Sequence, residues 1–212
     1  MEEFQRARTK EQIASRKEEI IAVFDEIYRE KGYEAVHFKA VSKMTSVSRS
    51  SIYKYYKTRE EVFLDLLRRD FAKWTEELKS CFDKTPKMTK KKFCGFLADS
   101  ILKHEKYFEL LSVYMPNIEK KSSIEKFTAY KQDVWSFRNV LIEGLGKYFP
   151  NASDERKEMS YVFLKVVVHG VYSLTHLSDM QIQAMKKINK KYENPDFRQL
   201  CFDALMLLMA EL

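Results

Sequence analysis

The chain has 212 residues, of which 45% are hydrophobic and 14% aromatic, which is enough apolar material for a sizeable core and excludes a disordered protein. Five glycines and four prolines are too few for a turn-rich β fold. The formal net charge of +7 is compatible with a polyanionic partner. Three widely spaced cysteines without a C-x-x-C motif argue against a disulfide framework or a zinc site, so we expect no metal and no cofactor.

The N-terminal residues and the most apolar segment together predict a cytoplasmic protein. The first twelve residues are charged and lack the apolar core of a signal peptide. The most apolar run, residues 159–177, contains Lys165, His169 and His176, so it lacks the clean apolar span of about 20 residues that a bilayer requires. We therefore expect no membrane partner.

Apolar residues at helical spacing predict four helices in the first third of the chain. The first covers residues 9–31 and ends at Gly32. A short second helix is expected over residues 38–45 and a third over residues 49–55, which Ser48 can cap. Thr58 and Glu61 have the spacing of a capping box, which predicts the start of a long fourth helix that ends near residue 82.

The rest of the chain repeats the helical pattern. Apolar spacing predicts helices near residues 93–102, 108–115, 127–149, 154–177 and 196–212, with an irregular basic stretch before the last one. No segment alternates polar and apolar residues with a period of two for long enough to indicate a strand. The sequence therefore predicts an all-α fold.

An acid-free, cationic stretch lies between Glu34 and Glu60. At the average frequency of acids in this chain about four would be expected there. The same stretch contains six cations, which are Lys39, Lys43, Arg49, Lys54, Lys57 and Arg59. Its predicted third helix presents small hydroxyls, an arginine and alternating tyrosines, which suit the major groove of DNA because they donate to base edges and phosphates without blocking entry.

This part of the chain resembles the N-terminal domain of the TetR/AcrR family of transcriptional regulators. The matching residues, which fall between about Lys17 and Leu67, are Phe24, Gly32, Tyr33, Val41, Val47, Ser48, Arg49, Ile52, Tyr53, Tyr55, Tyr56, Thr58, Arg59, Glu60 and Glu61. The resemblance implies a three-helix helix-turn-helix DNA-binding domain over residues 1–57 and a larger helical ligand-binding and dimerisation domain over residues 58–212. Ser46 departs from the family, which usually has glycine at the turn, so a left-handed residue there would be strained.

The resemblance also implies roles for individual residues on DNA. The first turn of the third helix would read bases, with Arg49 as the candidate for a bidentate contact to guanine, whereas Tyr56 is expected in the core. Lysines of the second helix and side chains at the start of the fourth would hold phosphates. The predicted DNA-binding residues are Lys39, Lys43, Ser48, Arg49, Ser50, Ser51, Tyr53, Lys54, Tyr55, Lys57 and Arg59.

The larger predicted domain has two expected roles. Aromatic side chains and one histidine could line an apolar ligand site, although an ordinary core explains each of them singly; they are Tyr107, Phe108, Tyr114, Phe127, Tyr130, Trp135 and His169. Residues 154–177 and 196–212 are too apolar for exposed helices, so we expect them to form a homodimer interface that includes Val167 and Leu205.

We therefore expect a sequence-specific DNA-binding regulator, in the form of a homodimeric repressor that a small, largely apolar ligand releases from a double-stranded operator. The residues alone do not distinguish a repressor from an activator. The alternative is a helical protein-interaction module that has lost DNA binding. An enzyme is not expected, because the chain has no Gly-rich phosphate loop, no H-E-x-x-H motif and no cysteine paired with a nearby histidine.

Overall fold

A computed structural model describes residues 9–210, and within that range the chain is all-α, as predicted. The helices are α1 (Lys10–Lys31), α2 (Phe38–Val41), α3 (Arg49–Tyr55), α4 (Arg59–Lys84), α5 (Lys90–Lys103), α6 (Glu105–Glu109), α7 (Met115–Lys120), α8 (Ile124–Tyr148), α9 (Asp154–Thr175), α10 (Asp179–Ile188) and α11 (Phe197–Leu208). A 3-10 turn, Tyr33–Ala35, follows α1. None of these described helices is both long and apolar enough to cross a bilayer.

Two elements differ from the sequence prediction. The short helix expected over residues 108–115 is part of a longer helical run, in which the π-helical segment Leu110–Tyr114 joins α6 to α7. The basic stretch expected to be irregular contains α10. Its capping box is formed by Ser178 and Gln181, which exchange hydrogen bonds between each side chain and the other residue's backbone amide.

The chain forms two compact units, and neither is a single continuous segment. The first unit comprises the residues up to Arg69 together with Asn117–Tyr130, and the second comprises Asp70–Pro116 and the residues from Lys131 onward. The chain therefore passes between the units within α4, α7 and α8. This division differs from the boundary at residues 57 and 58 that the sequence suggested.

The core of the first unit is built around Phe63, which is fully buried. Its ring meets the edge of Phe24 at a centroid distance of 4.6 Å and stacks on Tyr33 at 4.5 Å. Tyr28 packs edge-on at 5.5 Å. These rings come from α1, the 3-10 turn and α4. Their packing therefore fixes the relative positions of these three elements, next to which α2 and α3 lie.

In the second unit, the end of α4 is joined closely to α8. Gly144 of α8 leaves room for the ring of Phe82, since a β-carbon at position 144 would lie 2.8 Å from two of the ring's carbons. The terminal carbonyls of α4 also have donors from α8: Lys147 donates to the carbonyl of Phe82, and the Tyr148 hydroxyl donates to that of Thr85 at 2.8 Å. These contacts satisfy groups that a helix end otherwise leaves unpaired.

The three cysteines lie within the described residues as free thiols, of which Cys94 and Cys201 are buried. Burial raises the pKa of Cys94 to about 11 and that of Cys201 to about 12, so both remain protonated and unreactive near neutral pH. Within residues 9–210 no cluster of three or more histidine, cysteine or carboxylate side chains has the arrangement of a metal site.

Candidate nucleic-acid interface

The turn between α2 and α3 is held by a carboxylate of α1. The Glu19 carboxylate accepts hydrogen bonds from the Ser46 amide and from the Ser46 hydroxyl, the latter at 2.8 Å. Among the described residues, positive φ occurs only at Gly32, so Ser46 does not adopt the strained left-handed conformation that its position suggested. The turn has a different geometry in which serine is tolerated, and its polar side chain anchors it to α1.

Helix α3 begins as the sequence predicts. Ser48 accepts a hydrogen bond from the Ser51 amide at 3.3 Å and so caps the helix. Arg49 and Ser50 in the first turn are exposed. Ser51 is instead buried, and its hydroxyl lies 3.0 Å from that of Ser48. This placement does not support the predicted base contact for Ser51, because its side chain faces the interior and stabilises the cap.

Tyr53 and Arg49 lie next to each other on the exposed side of α3. Tyr53 is 49% exposed, and its ring packs edge-on against Phe38 of α2 at 5.0 Å. The Arg49 guanidinium reaches the Tyr53 hydroxyl at 3.5 Å. The two side chains are therefore neighbours on the surface, and both keep polar atoms available to solvent.

The remaining predicted lysines surround α3 on the surface. Lys39 and Lys43 of α2, Lys54 of α3 and Lys57 before α4 are all exposed, and Tyr55 is half-buried. Two of them, Lys54 and Lys57, line an open groove of about 470 Å³. Since phosphates attract cations at the surface, this arrangement leaves the lysine ammonium groups where a DNA backbone could meet them.

Arg59 lies differently from the prediction. Its guanidinium donates to the backbone carbonyls of Tyr33 at 3.2 Å and Val36 at 3.1 Å, and it pairs with the carboxylates of Glu34 and Glu60 at 3.1 and 3.4 Å. The guanidinium also lies over the Tyr33 ring at 4.6 Å. With its donors directed at the loop after α1, Arg59 is not placed to hold a phosphate, and we assign it to the interior of the first unit.

The start of α4 has the predicted cap with one difference. The Thr58 hydroxyl accepts from the Glu61 amide at 3.3 Å, as expected for a capping box. The Glu61 carboxylate reaches one residue further back than predicted and accepts from the Lys57 amide at 2.9 Å. Thr58 also donates to the carbonyl of Lys121 at 2.9 Å, which joins this helix start to the turn between α7 and α8.

Sequence reasoning missed that residues 117–130 belong to this unit. Lys126 of α8 places its ammonium 2.5 Å from the Asp65 carboxylate and 4.5 Å from the centroid of the Tyr56 ring. Lys121 lies 3.2 Å from the buried carboxylate of Glu60, which also accepts from Asn117 at 3.3 Å. The buried acids of α4 were a signal for such partners, because buried carboxylates require cations or hydrogen-bond donors.

The predicted ligand residues are not all brought together. The ring centroids of Phe108 and His169, both in the second unit, lie 6.3 Å apart. The Nδ1 atom of His169 is hydrogen-bonded at 2.8 Å to the hydroxyl of Ser112 in the π-helical segment. Trp135 is 61% exposed, with the Arg138 guanidinium 4.5 Å from its ring centroid, which suits a solvated surface rather than an apolar pocket.

The other predicted ligand residues divide between the units. Tyr107 is buried beside Phe71 and Tyr114 is half-buried in the second unit, whereas Phe127 and Tyr130 pack against each other in the first unit. Of the predicted ligand residues in the second unit, Phe108 and His169 are direct neighbours.

Two family models match the chain over nearly all of the described residues. The model described as bacterial regulatory proteins of the tetR family matches residues 20–66. The model described as the tetracyclin repressor-like C-terminal domain matches residues 68–210, which is more than half of the chain. The chain belongs to the TetR family. It is thus a DNA-binding transcription regulator, and α2 with α3 is its helix-turn-helix.

The TetR-family assignment agrees with similar proteins. The HTH-type transcriptional regulator QacR of Staphylococcus aureus is 32% identical over 63 residues, which cover 30% of this chain and 34% of QacR, so the match spans about a third of that relative. Solved structures of the fatty acid degradation regulator FadR from Bacillus halodurans, and of FadR from Bacillus subtilis in complex with stearoyl-CoA, share the fold.

These two structures are similar over almost their whole length but distant in sequence. The first has a TM-score of 0.57 at 16% identity and covers 96% of this chain and 97% of its own. The second has a TM-score of 0.55 at 16% identity and covers 92% and 98%. At this identity they show a shared fold and nothing about what this chain binds.

Proposed function

We propose that this TetR-family regulator is a homodimeric repressor that binds a double-stranded operator and is released by a small, largely apolar ligand. The observation that carries the proposal is the exposed first turn of α3, where Arg49 and Ser50 stand in a stretch without acids. Exposed lysines on both sides supply the cations that a duplex backbone requires.

In this proposal bases and phosphates have different partners. Arg49, together with Ser50, enters the major groove, where an arginine fork can donate to both acceptors of guanine. Lys39 and Lys43 hold one phosphate strand, and Lys54 and Lys57 the other. Tyr53 lies beside Arg49, with its hydroxyl 3.5 Å from the guanidinium.

An exposed apolar stripe supports the proposed homodimer. On α9 the stripe contains Met159, Phe163, Val166 and Leu174, which are between 43% and 64% exposed, and Leu207 of α11 is 80% exposed. Exposed apolar patches on a soluble protein often mark a surface at which another protein binds. A two-fold axis would bury it against the same stripe of a second copy.

The proposed ligand site lies in the second unit around Phe108 and His169. The ring of Phe108 offers apolar contact, and burial lowers the pKa of His169, so its imidazole is neutral near pH 7 and can exchange hydrogen bonds with an uncharged polar group. One structurally similar regulator, Bacillus subtilis FadR, was solved with stearoyl-CoA, a ligand with a long apolar chain. This supports a ligand of apolar character without identifying it.

Selection of bound duplexes from a random pool, followed by titration at several salt concentrations, tests the proposal. We expect two half-sites related by symmetry, and a log–log slope of about −0.9 for each phosphate neutralised. A protein that enriches no sequence, or whose binding is independent of salt, contradicts it and favours the interaction-module alternative.

Two variants separate base reading from backbone contact. Arg49→Ala should relax discrimination at one base pair, at a cost of about 1–3 kcal/mol for the preferred base, and should leave the other positions unchanged. Lys57→Ala should weaken all sequences about equally and reduce the salt slope by about one. Interchanged effects would mean that α3 is set differently in the groove.

The proposed release of the repressor from its operator is tested by measuring the ligand's affinity with and without operator. An inducer that weakens DNA binding must itself bind less tightly when the operator is saturating, by the same factor. Calorimetric titration of candidate apolar compounds, with and without operator, measures that factor. Equal affinities in both titrations would show that the compound is not the inducer.

A further inference from the structure

The α7–α8 segment, residues 117–130, places two ammonium groups on buried acids of α4. Lys126 reaches the Asp65 carboxylate at 2.5 Å, with side-chain exposures of 20% and 9%. Lys121 reaches Glu60, whose side chain is only 4% exposed, at 3.2 Å. Buried carboxylates are costly without such partners, so the segment stabilises the carboxylates of α4.

The Lys126 contact leads directly to the recognition helix. Asp65 accepts a hydrogen bond at 2.9 Å from the hydroxyl of Tyr56, which is fully buried. Tyr56 is the residue that ends α3, and its amide donates to the carbonyl of Ile52. The Lys126 ammonium lies over the same ring at 4.5 Å, so one cation holds both the ring and the carboxylate to which that ring donates.

The phenol of Tyr56 has a defined role in this arrangement. Burial, with the neighbouring Asp65 charge, raises the pKa of Tyr56, so the hydroxyl stays protonated near neutral pH and can donate to Asp65. The Arg68 guanidinium is a second cation on Asp65, at 3.4 Å, but its side chain is 37% exposed. Lys126 is therefore the closer and more buried of these two partners.

We propose that Lys126 is a positioning residue for DNA binding, which holds the C-terminal end of α3 through Asp65 and Tyr56. It acts on α3 from outside the helix-turn-helix, although its side chain also lines the groove that contains Lys54 and Lys57. The inference rests on the proposed DNA-binding surface of α3. It assigns residues 117–130 to the first unit as an element that supports the helix-turn-helix.

Four proteins test the proposal: the wild type, Lys126→Met, Lys126→Arg and, as a matched control, Lys120→Met. Lys120 is exposed and lies in the same segment, so its loss removes an equal charge without touching Asp65. Operator affinity and its salt slope are measured well below the unfolding temperature of each protein. Amide hydrogen exchange of α3 is measured on the same samples without DNA.

We expect Lys126→Met to bind the operator about tenfold more weakly with an unchanged salt slope, because coupling through such networks is commonly worth that much. Exchange of the α3 amides should accelerate in the same variant. Lys126→Arg should restore most of both properties, and Lys120→Met should behave as the wild type.

Three results would overturn the proposal. One is unchanged affinity in Lys126→Met. Another is a salt slope smaller by about one with unchanged exchange in α3, which would mean that Lys126 contacts a phosphate directly. If Lys126→Met does not fold, Tyr56→Phe removes only the hydroxyl from the same path, and unchanged exchange and affinity in that variant would be the third.

The exchange measurement also separates this inference from the proposed function. A wild-type protein that binds no operator contradicts the proposed function alone. Unchanged α3 exchange in Lys126→Met and Tyr56→Phe contradicts the role of Lys126, whether or not an operator is found.

Discussion

At the scale of single residues, Arg59 contacts several separate parts of the first unit. Its guanidinium satisfies the carbonyls of Tyr33 and Val36 and lies over the Tyr33 ring. We expect Arg59→Ala to lower the free energy of unfolding by about 2–4 kcal/mol, because it leaves buried acceptors and the Glu60 carboxylate without this donor. Urea denaturation followed by circular dichroism measures the loss.

A matched variant shows whether geometry or charge matters at this position. The substitution Arg59→Lys keeps the charge, but an ammonium group has three donors from one point, whereas the guanidinium reaches two carbonyls and the carboxylates of Glu34 and Glu60. We expect it to recover less than half of the lost stability. Full recovery would mean that the cation alone is required and that the two carbonyl contacts contribute little.

Two histidines make stability depend on pH. Burial lowers the pKa of His104 and of His169 relative to the unfolded chain. The unfolded state therefore takes up protons first, so their contribution is complete above the unfolded pKa of about 6.5 and is lost as pH falls below it. We expect the unfolding midpoint in urea to decrease between pH 7.5 and 5.5, and to decrease less in His104→Gln.

The residues of the interface were predictable to different degrees. The acid-free stretch singled out Arg49 and the lysines, and the structure places all of them on the surface, but their contacts with DNA stay a prediction. It did not distinguish Arg59 from them, since a cation that pairs with internal carbonyls looks the same in a sequence as one that meets phosphate. Lys126 escaped notice because its partners, Asp65 and Tyr56, are distant in the chain.

At the scale of elements, the contact between α4 and α8 gives a sharp prediction. Gly144→Ala would place a methyl group against the Phe82 ring, which is held by Phe93 and Tyr148 at centroid distances of 6.0 and 5.7 Å. We expect a net destabilisation of about 1–3 kcal/mol despite the better helix propensity of alanine. Thermal unfolding followed by calorimetry measures it.

Gly146 of the same helix is the control for this prediction. A β-carbon there meets no heavy atom within 4 Å, so Gly146→Ala should stabilise by up to about 1 kcal/mol through propensity alone. Equal effects of the two substitutions would show that the Phe82 ring moves freely.

Helix boundaries were largely predictable because caps are local. Residues 49–55 were predicted for α3, and the structure has Arg49–Tyr55. Helix α10 was missed although Ser178 and Gln181 form a local capping box. None of its residues is buried, and its lysines are of a kind that is also common in exposed loops. The π-helical segment has no sequence signal of its own, since an extra residue in a helical turn depends on packing.

At the scale of the whole molecule, the proposed homodimer predicts the effect of charges on the apolar stripe. Val166→Glu and Leu207→Glu, at positions 64% and 80% exposed in one chain, should leave the subunit folded but dissociate the dimer, because each buries an unpaired charge. Light scattering after size exclusion reports the mass. Ile124→Glu, at a position 70% exposed in the first unit, is the control.

The burial of Leu205 corrects one expectation from the sequence. Leu205 is fully buried within its own chain, so Leu205→Glu would disrupt the subunit core and would say nothing about the interface. A dimer that survives both Val166→Glu and Leu207→Glu would place the interface elsewhere.

The first unit contains two separate segments of the chain, which matters when DNA-binding domains are exchanged between regulators of this family. A graft cut at residue 66, where the N-terminal family model ends, would leave Glu60 and Asp65 without Lys121 and Lys126. The donor domain would then depend on whatever side chains the recipient supplies at the corresponding turn. A chimaera designed from this protein should therefore transplant residues 117–130 together with the helix-turn-helix, as two separate insertions.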